Sequence, residues 1–112
     1  MDCLFCKIIA GDIPCTKVYE DEYVLAFNDI DPQAPFHAIV IPKEHISGAD
    51  MIDPSNSHLI AKVFEAIAKI AKENNLEDGF RVVNNCGRAA GQTVHHIHFH
   101  LLGRRDLGWP PG

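Results

Sequence analysis

The 112-residue chain has no run of lysines or arginines, no apolar stretch long enough to cross a membrane, no low-complexity tract and no internal repeat. Each absence excludes a class. Neutralising a nucleic-acid backbone requires clustered positive charge, so a formal net charge of -5 without a basic run argues against a nucleic-acid partner. It leaves room for one locally positive pocket that takes a small anion. Without an apolar span of about 20 residues, no membrane segment is expected. The opening "MDCLFCKIIAGDIP" has an acid at position 2 and only a short apolar run after Lys7. It lacks the basic head and long apolar stretch of a secretory signal, which predicts a cytoplasmic protein.

What is present fits one soluble domain over residues 1–112, too short for two independent cores. In a reducing compartment a close cysteine pair points to metal or redox chemistry rather than a structural disulfide. Cys3 and Cys6 form such a pair, whereas Cys15 and Cys86 read as small packing residues. Apolar residues four apart, Leu4 with Ile8 and Phe5 with Ile9, predict a short helix over 3–10 stopped by Gly11. "KVYEDEYVLAFNDI" gives two extended runs around an acidic turn at 20–22, and "FHAIVIP" gives a third. Asp53 and Pro54 suggest the start of a long helix with an apolar stripe of Leu59, Ile60, Val63, Phe64, Ile67, Ile70 and Ala71, ending near Asn74 or Asn75. "GFRVVNN" and "VHHIHFHLL" are two further strands around the loop "CGRAAGQ". Strands without regular βαβ alternation predict an α+β domain with a mainly antiparallel five-stranded sheet, one long helix and one short one. The tail "RRDLGWPPG" is irregular, and its Trp109 is expected to dock over the site or a partner subunit.

Four of the seven histidines fall at 95–100. Strand alternation puts His96, His98 and His100 on one face and Ile97, Phe99 and Leu101 on the other, with His95 on the apolar side. Two chemistries suit three imidazoles in a row. They could hold a catalytic zinc ion, or His98 could be a nucleophile flanked by residues that bind charge and donate a proton. "CLFC" has the spacing of half a tetrahedral zinc site, which His45 of "PKEH" and one strand histidine would complete. A lone Cys-x-x-Cys is equally compatible with redox activity or two core cysteines.

The run "HHIHFHLL" resembles the His-x-His-x-His signature of the histidine triad (HIT) nucleotide hydrolases and transferases. "FCKIIAGDIP", "LAFNDIDPQAPFHAIVIPKEHI", "GQTVHHIHFHLLGRR" and the closing "WPPG" are similar to its Hint branch, which hydrolyses adenosine 5'-phosphoramidates. The resemblance implies a HIT-like fold whose sheets join into one continuous sheet in a homodimer, and a purine nucleotide substrate with AMP as product. It implies His98 as the nucleophile that takes AMP covalently, His100 beside the phosphate and leaving group, and His37 in support. It implies Phe5, Ile8, Ile13 and Phe27 around the base, Asp29 with Ile30 at the ribose, and Asn85, Gly91, Thr93 and Val94 near the phosphate. It further implies one structural zinc per subunit on Cys3, Cys6, His45 and His96, with no catalytic metal. A dinucleoside polyphosphate hydrolase, a nucleotidyl transferase and a non-enzymatic nucleotide-binding dimer are the alternatives. His95 and Asn28 depart from residues common in the branch.

Overall fold

In the computed structural model, which describes residues 3–112, a five-stranded sheet is built from β1 (Lys17–Glu20), β2 (Val24–Asn28), β3 (Phe36–Pro42), β4 (Phe80–Val83) and β5 (Phe99–Gly103). The order is β1-β2-β3-β5-β4 and each neighbouring pair is antiparallel. A short helix α1 (Leu4–Ile9) and a long helix α2 (Ser57–Glu73) complete the α+β architecture. The acidic turn joining β1 to β2 is closed by Asp21, whose Oδ1 accepts the N–H groups of Tyr23 and Val24 at 2.7 and 2.8 Å.

Side-chain alternation sorts the central strands into two faces. Val24 and Ala26 of β2, Phe36, Ala38 and Val40 of β3, and Phe99 and Leu101 of β5 join one core with the buried stripe of α2, namely Leu59, Val63, Ala66, Ile67, Ile70 and Ala71. Leu25, Phe27, Ile39 and Ile41 point the other way and pack with Cys3 and Phe5 at the N-terminal helix. Because both faces are covered, β3 is buried at every position. Each fully buried leucine or isoleucine here contributes roughly 2 kcal/mol. His37 of β3 and His100 of β5 share the α1 face, and the register that pairs Ile39 with His100 and His37 with Leu102 brings them side by side.

Four elements differ from expectation. The long helix starts at Ser57 rather than Pro54, because Asp53 and Asn56 first close a turn in which Asp53 Oδ1 accepts the Ser55 N–H and Asn56 Oδ1 accepts the Asp53 N–H, each at 2.8 Å. The last strand joins the ladder only at Phe99, since the Ile97 N–H is taken by the Ile46 carbonyl at 2.6 Å. Phe64, expected in the buried stripe, is 47% exposed and makes an edge contact with Phe99, 5.6 Å between ring centroids. Trp109 does not dock on this chain and is 82% exposed.

Gly103 ends β5 at a close approach, since a Cβ there would lie 2.9 Å from Leu76 Cδ2, itself buried. Gly103→Ala is expected to cost about 1–2 kcal/mol through overpacking, read as a lower urea midpoint. An unchanged midpoint would show that Leu76 has room to move.

Candidate metal and nucleotide sites

Two clusters flank β5. The first lies where α1 meets the segment before that strand. Cys3 caps α1, its Sγ accepting the Cys6 N–H at 3.3 Å, so the helix itself orients both sulfurs. His96 is fully buried, and its Nε2–H donates to the Pro42 carbonyl at 2.9 Å. That bond fixes the tautomer and leaves the Nδ1 lone pair facing the cysteines. Cys3 Sγ and Cys6 Sγ lie 3.5 and 3.6 Å from His96 Nδ1, Cys6 Sγ lies 3.4 Å from His45 Nδ1, and the two Nδ1 atoms are 3.2 Å apart.

These distances test the fit of a metal. Zinc bonds of about 2.3 Å to sulfur and 2.0–2.1 Å to nitrogen make tetrahedral edges of about 3.5 Å (S to N) and about 3.3 Å (N to N). The four donors match both edges. Burial and the neighbouring Cys3 push the Cys6 thiol up, and burial pushes His96 down toward its neutral, ligating form. A divalent cation here would stabilise both thiolates.

The second cluster gathers His37, His98, His100 and Asp29. His98 is buried, with its ring edge-on to Phe5 at 5.1 Å between centroids, and Asn84 Nδ2 donates to its carbonyl at 2.9 Å. His98 Nδ1–H donates to the His96 carbonyl at 2.8 Å, which leaves Nε2 as a lone pair. Beside it runs a chain of donors. The Gln33 N–H donates to His37 Nδ1 at 3.0 Å, so the proton of neutral His37 sits on Nε2, which lies 2.8 Å from His100 Nδ1 and 3.3 Å from Asp29 Oδ2. His100 Nδ1 must then accept, and its proton sits on Nε2. Burial lowers the pKa of both rings, and the positive charge that His98 and His37 carry when protonated lowers His100 further. Both shifts favour the neutral rings, and with His100 neutral its Nε2–H is turned away from His37, while the His98 Nδ1–H bond leaves Nε2 as that ring's other nitrogen.

A cavity of about 830 Å³ opens onto these two rings. Phe5, Ile8, Phe27, Asp29, Ile30, Asn85, Gly91, Thr93, Val94, His98 and His100 line it, whereas Ile13 does not. His37 does not line this cavity and contacts it through His100, whose Nδ1 lies 2.8 Å from its Nε2. Among the described residues, the metal-capable groups are Cys3, Cys6, His45 and His96 on one side and Asp29, His37 and His100 on the other. The three alternating histidines do not converge on one point. The Asp29 group is held by hydrogen bonds, and its 2.8 Å nitrogen pair is shorter than a zinc tetrahedron's edge.

Several contributors carry no sequence signal. Cys15 packs against the α1-side core as expected and also lines the cavity, and Cys86 Sγ donates to Asp50 Oδ1 at 3.4 Å. Gln92 is buried and ties the loop before the histidines, donating to the carbonyls of Ser47 and Val94 while its Oε1 accepts the Gly87 N–H. Gln33 and Asn84 act at the site through bonds to or from backbone atoms.

The HIT domain family model matches residues 10–107. A 14 kDa zinc-binding protein of Zea mays is 47% identical over 97% of this chain and 87% of its own length. The crystal structure of a HIT family hydrolase from Legionella pneumophila superposes with a TM-score of 0.96 at 48% identity, covering 99% of this chain and all of that one. That of a histidine triad nucleotide-binding protein from Candida albicans gives a TM-score of 0.86 at 34% identity, covering 97% and 83% of the respective chains.

Proposed function

Because the chain belongs to the HIT family, we propose that it is a nucleotide hydrolase that cleaves the P–N bond of adenosine 5'-phosphoramidates through a nucleotidyl-histidine on His98. The observation that carries this reading is the opposite hydrogen-bonding of two neighbouring rings, His98 Nδ1 on a carbonyl and His100 Nδ1 on the donor His37. His98 offers a lone pair on Nε2, and His100 offers a proton on Nε2, with ring centroids 5.2 Å apart. His98 Nε2 attacks phosphorus, the P–N electron pair leaves with nitrogen, and the amine takes its proton from His100, the negative charge left on that ring being balanced by the positive charge on adenylated His98, which keeps its Nδ1–H. Water then attacks the same phosphorus and returns a proton to His100, releasing AMP and restoring His98. The balance is phosphoramidate plus water giving AMP plus amine.

The cavity suits the rest of the substrate. Phe5, Ile8 and Phe27 supply flat apolar walls for a purine, and Asp29, partly exposed to the cavity, can accept ribose hydroxyls. Thr93 with the peptide groups near Gly91 can receive a non-bridging phosphate oxygen. Zinc on Cys3, Cys6, His45 and His96, one per subunit, is structural, since four protein ligands leave no open position. A homodimer that continues the sheet fits the unpaired outer edge of β4, where Phe80 is 44% exposed.

Incubation with an adenosine 5'-phosphoramidate is expected to release AMP and amine. Offered together with a diadenosine polyphosphate, the phosphoramidate should disappear first. Faster loss of the polyphosphate would instead identify a dinucleoside polyphosphate hydrolase, and turnover of neither would leave a binding protein.

A further inference from the structure

Gln33 lies in the loop between β2 and β3, and both of its backbone polar groups are held. Its N–H donates to His37 Nδ1 at 3.0 Å, and its carbonyl accepts from Arg105 Nε at 3.1 Å across 72 positions of sequence. Its side chain braces the loop, Nε2 donating to the Asp31 carbonyl at 3.0 Å, and Arg105 also donates to the Asp106 carbonyl at 3.0 Å. We propose that the backbone N–H of Gln33, a residue anchored through its carbonyl by Arg105, is a positioning element that fixes His37 as a donor and thereby holds His100 with its proton on the nitrogen facing the cavity. The inference rests on the reading of His100 as the acid of the reaction.

The physical reason is that a backbone N–H has one polarity. A side-chain partner could reverse its role, but a peptide N–H only donates. While it is bonded to His37 Nδ1, neutral His37 can carry its proton only on Nε2, and His100 Nδ1 can only accept. Without that donor the neutral pair has a second arrangement. His37 would carry Nδ1–H with a bare Nε2, His100 would donate from Nδ1, and a bare His100 Nε2 would face the leaving group with no proton to give. Two bare nitrogens would then face the phosphate. The choice between these arrangements lies in the Gln33 loop, while Asp29 Oδ2, at 3.3 Å from His37 Nε2 and 3.8 Å from His100 Nδ1, lies nearer the donor of the first arrangement.

Nitrogen-15 NMR of labelled histidine distinguishes Nδ1–H from Nε2–H rings with no substrate present. The wild-type protein is expected to show His37 and His100 as Nε2–H. Gln33→Pro deletes the N–H, and His100 should become a mixture, with kcat falling roughly tenfold, a part of the 10²- to 10⁴-fold carried by a general acid. KM should stay within about twofold, since nothing that lines the cavity is removed. Arg105→Ala should move both readouts in the same direction by less, and Arg105→Lys should restore them. A single Nε2–H form at His100 in Gln33→Pro overturns the proposal, as does a loss of kcat without any change in tautomer. If Gln33→Pro does not fold, the surface variant Arg105→Ala decides, and an unchanged His100 pattern there is equally fatal. A wild-type protein with the expected pattern but no phosphoramidate turnover would refute the proposed reaction and leave the tautomer control standing.

Discussion

His98→Ala is expected to lower phosphoramidate turnover by at least roughly a thousandfold, about 4 kcal/mol of barrier at about 1.4 kcal/mol per decade. Neither neighbour can take over. His100 Nδ1 accepts from His37, so its free nitrogen carries the proton, and His37 does not line the cavity. Direct attack by water would have to use a site shaped for an imidazole nucleophile. The loss should therefore appear in kcat, with nucleotide affinity kept by the walls around Phe5 and Phe27. Mass spectrometry of wild-type protein quenched during turnover should find one adenylyl group on the peptide carrying His98. The variant should carry none and keep its metal. Adenylation elsewhere in the wild-type protein, or near-normal activity in His98→Ala, would remove His98 from the nucleophile's role.

Much of this site was legible because period and spacing are visible in one dimension. The alternation with His96, His98 and His100 assigns Ile97, Phe99 and Leu101 to the core, where they lie, even though the ladder begins only at Phe99. "CLFC" with "PKEH" named three donors of a cluster that spans 93 positions between Cys3 and His96. The fourth, His96, came only from resemblance, since nothing in the strand pattern alone separates it from His98. The distinction arises in three dimensions: His96 turns its Nδ1 to the cysteines because Pro42 takes its Nε2–H, while its own carbonyl takes the Nδ1–H of His98. Gln33, Asn84 and Gln92 were illegible for a related reason. Their bonds run to or from backbone groups in loops, which have no periodicity and no characteristic residue type. Asp53 looked like a helix cap by composition, but its side chain was spent on a turn that delays the helix to Ser57.

Removal of zinc is expected to produce the largest loss of stability. Structural zinc sites in small peptides bind with about 10–16 kcal/mol, nearly all of it folding energy. Here the core around α2 exists independently of the metal, so a smaller share is at stake, about 3–5 kcal/mol, or a fall in Tm of roughly 15–30 °C. Cys3→Ser should lose the metal and unfold at this lower temperature, because Cys3 both caps α1 and supplies a ligand. Activity should fall as well, though by less than in His98→Ala. His96 holds His98 through its carbonyl, and a His96 freed from the metal holds that carbonyl less firmly. Elemental analysis separates this from metal catalysis on the histidine strand. If the alternating histidines held the ion, His98→Ala would strip it and Cys3→Ser would keep it. The two clusters here predict the reverse, because His98 has committed Nδ1 to a backbone carbonyl while His96 turns its Nδ1 to the sulfurs. Full zinc occupancy in Cys3→Ser would therefore overturn the ligand set, whatever the variant's activity.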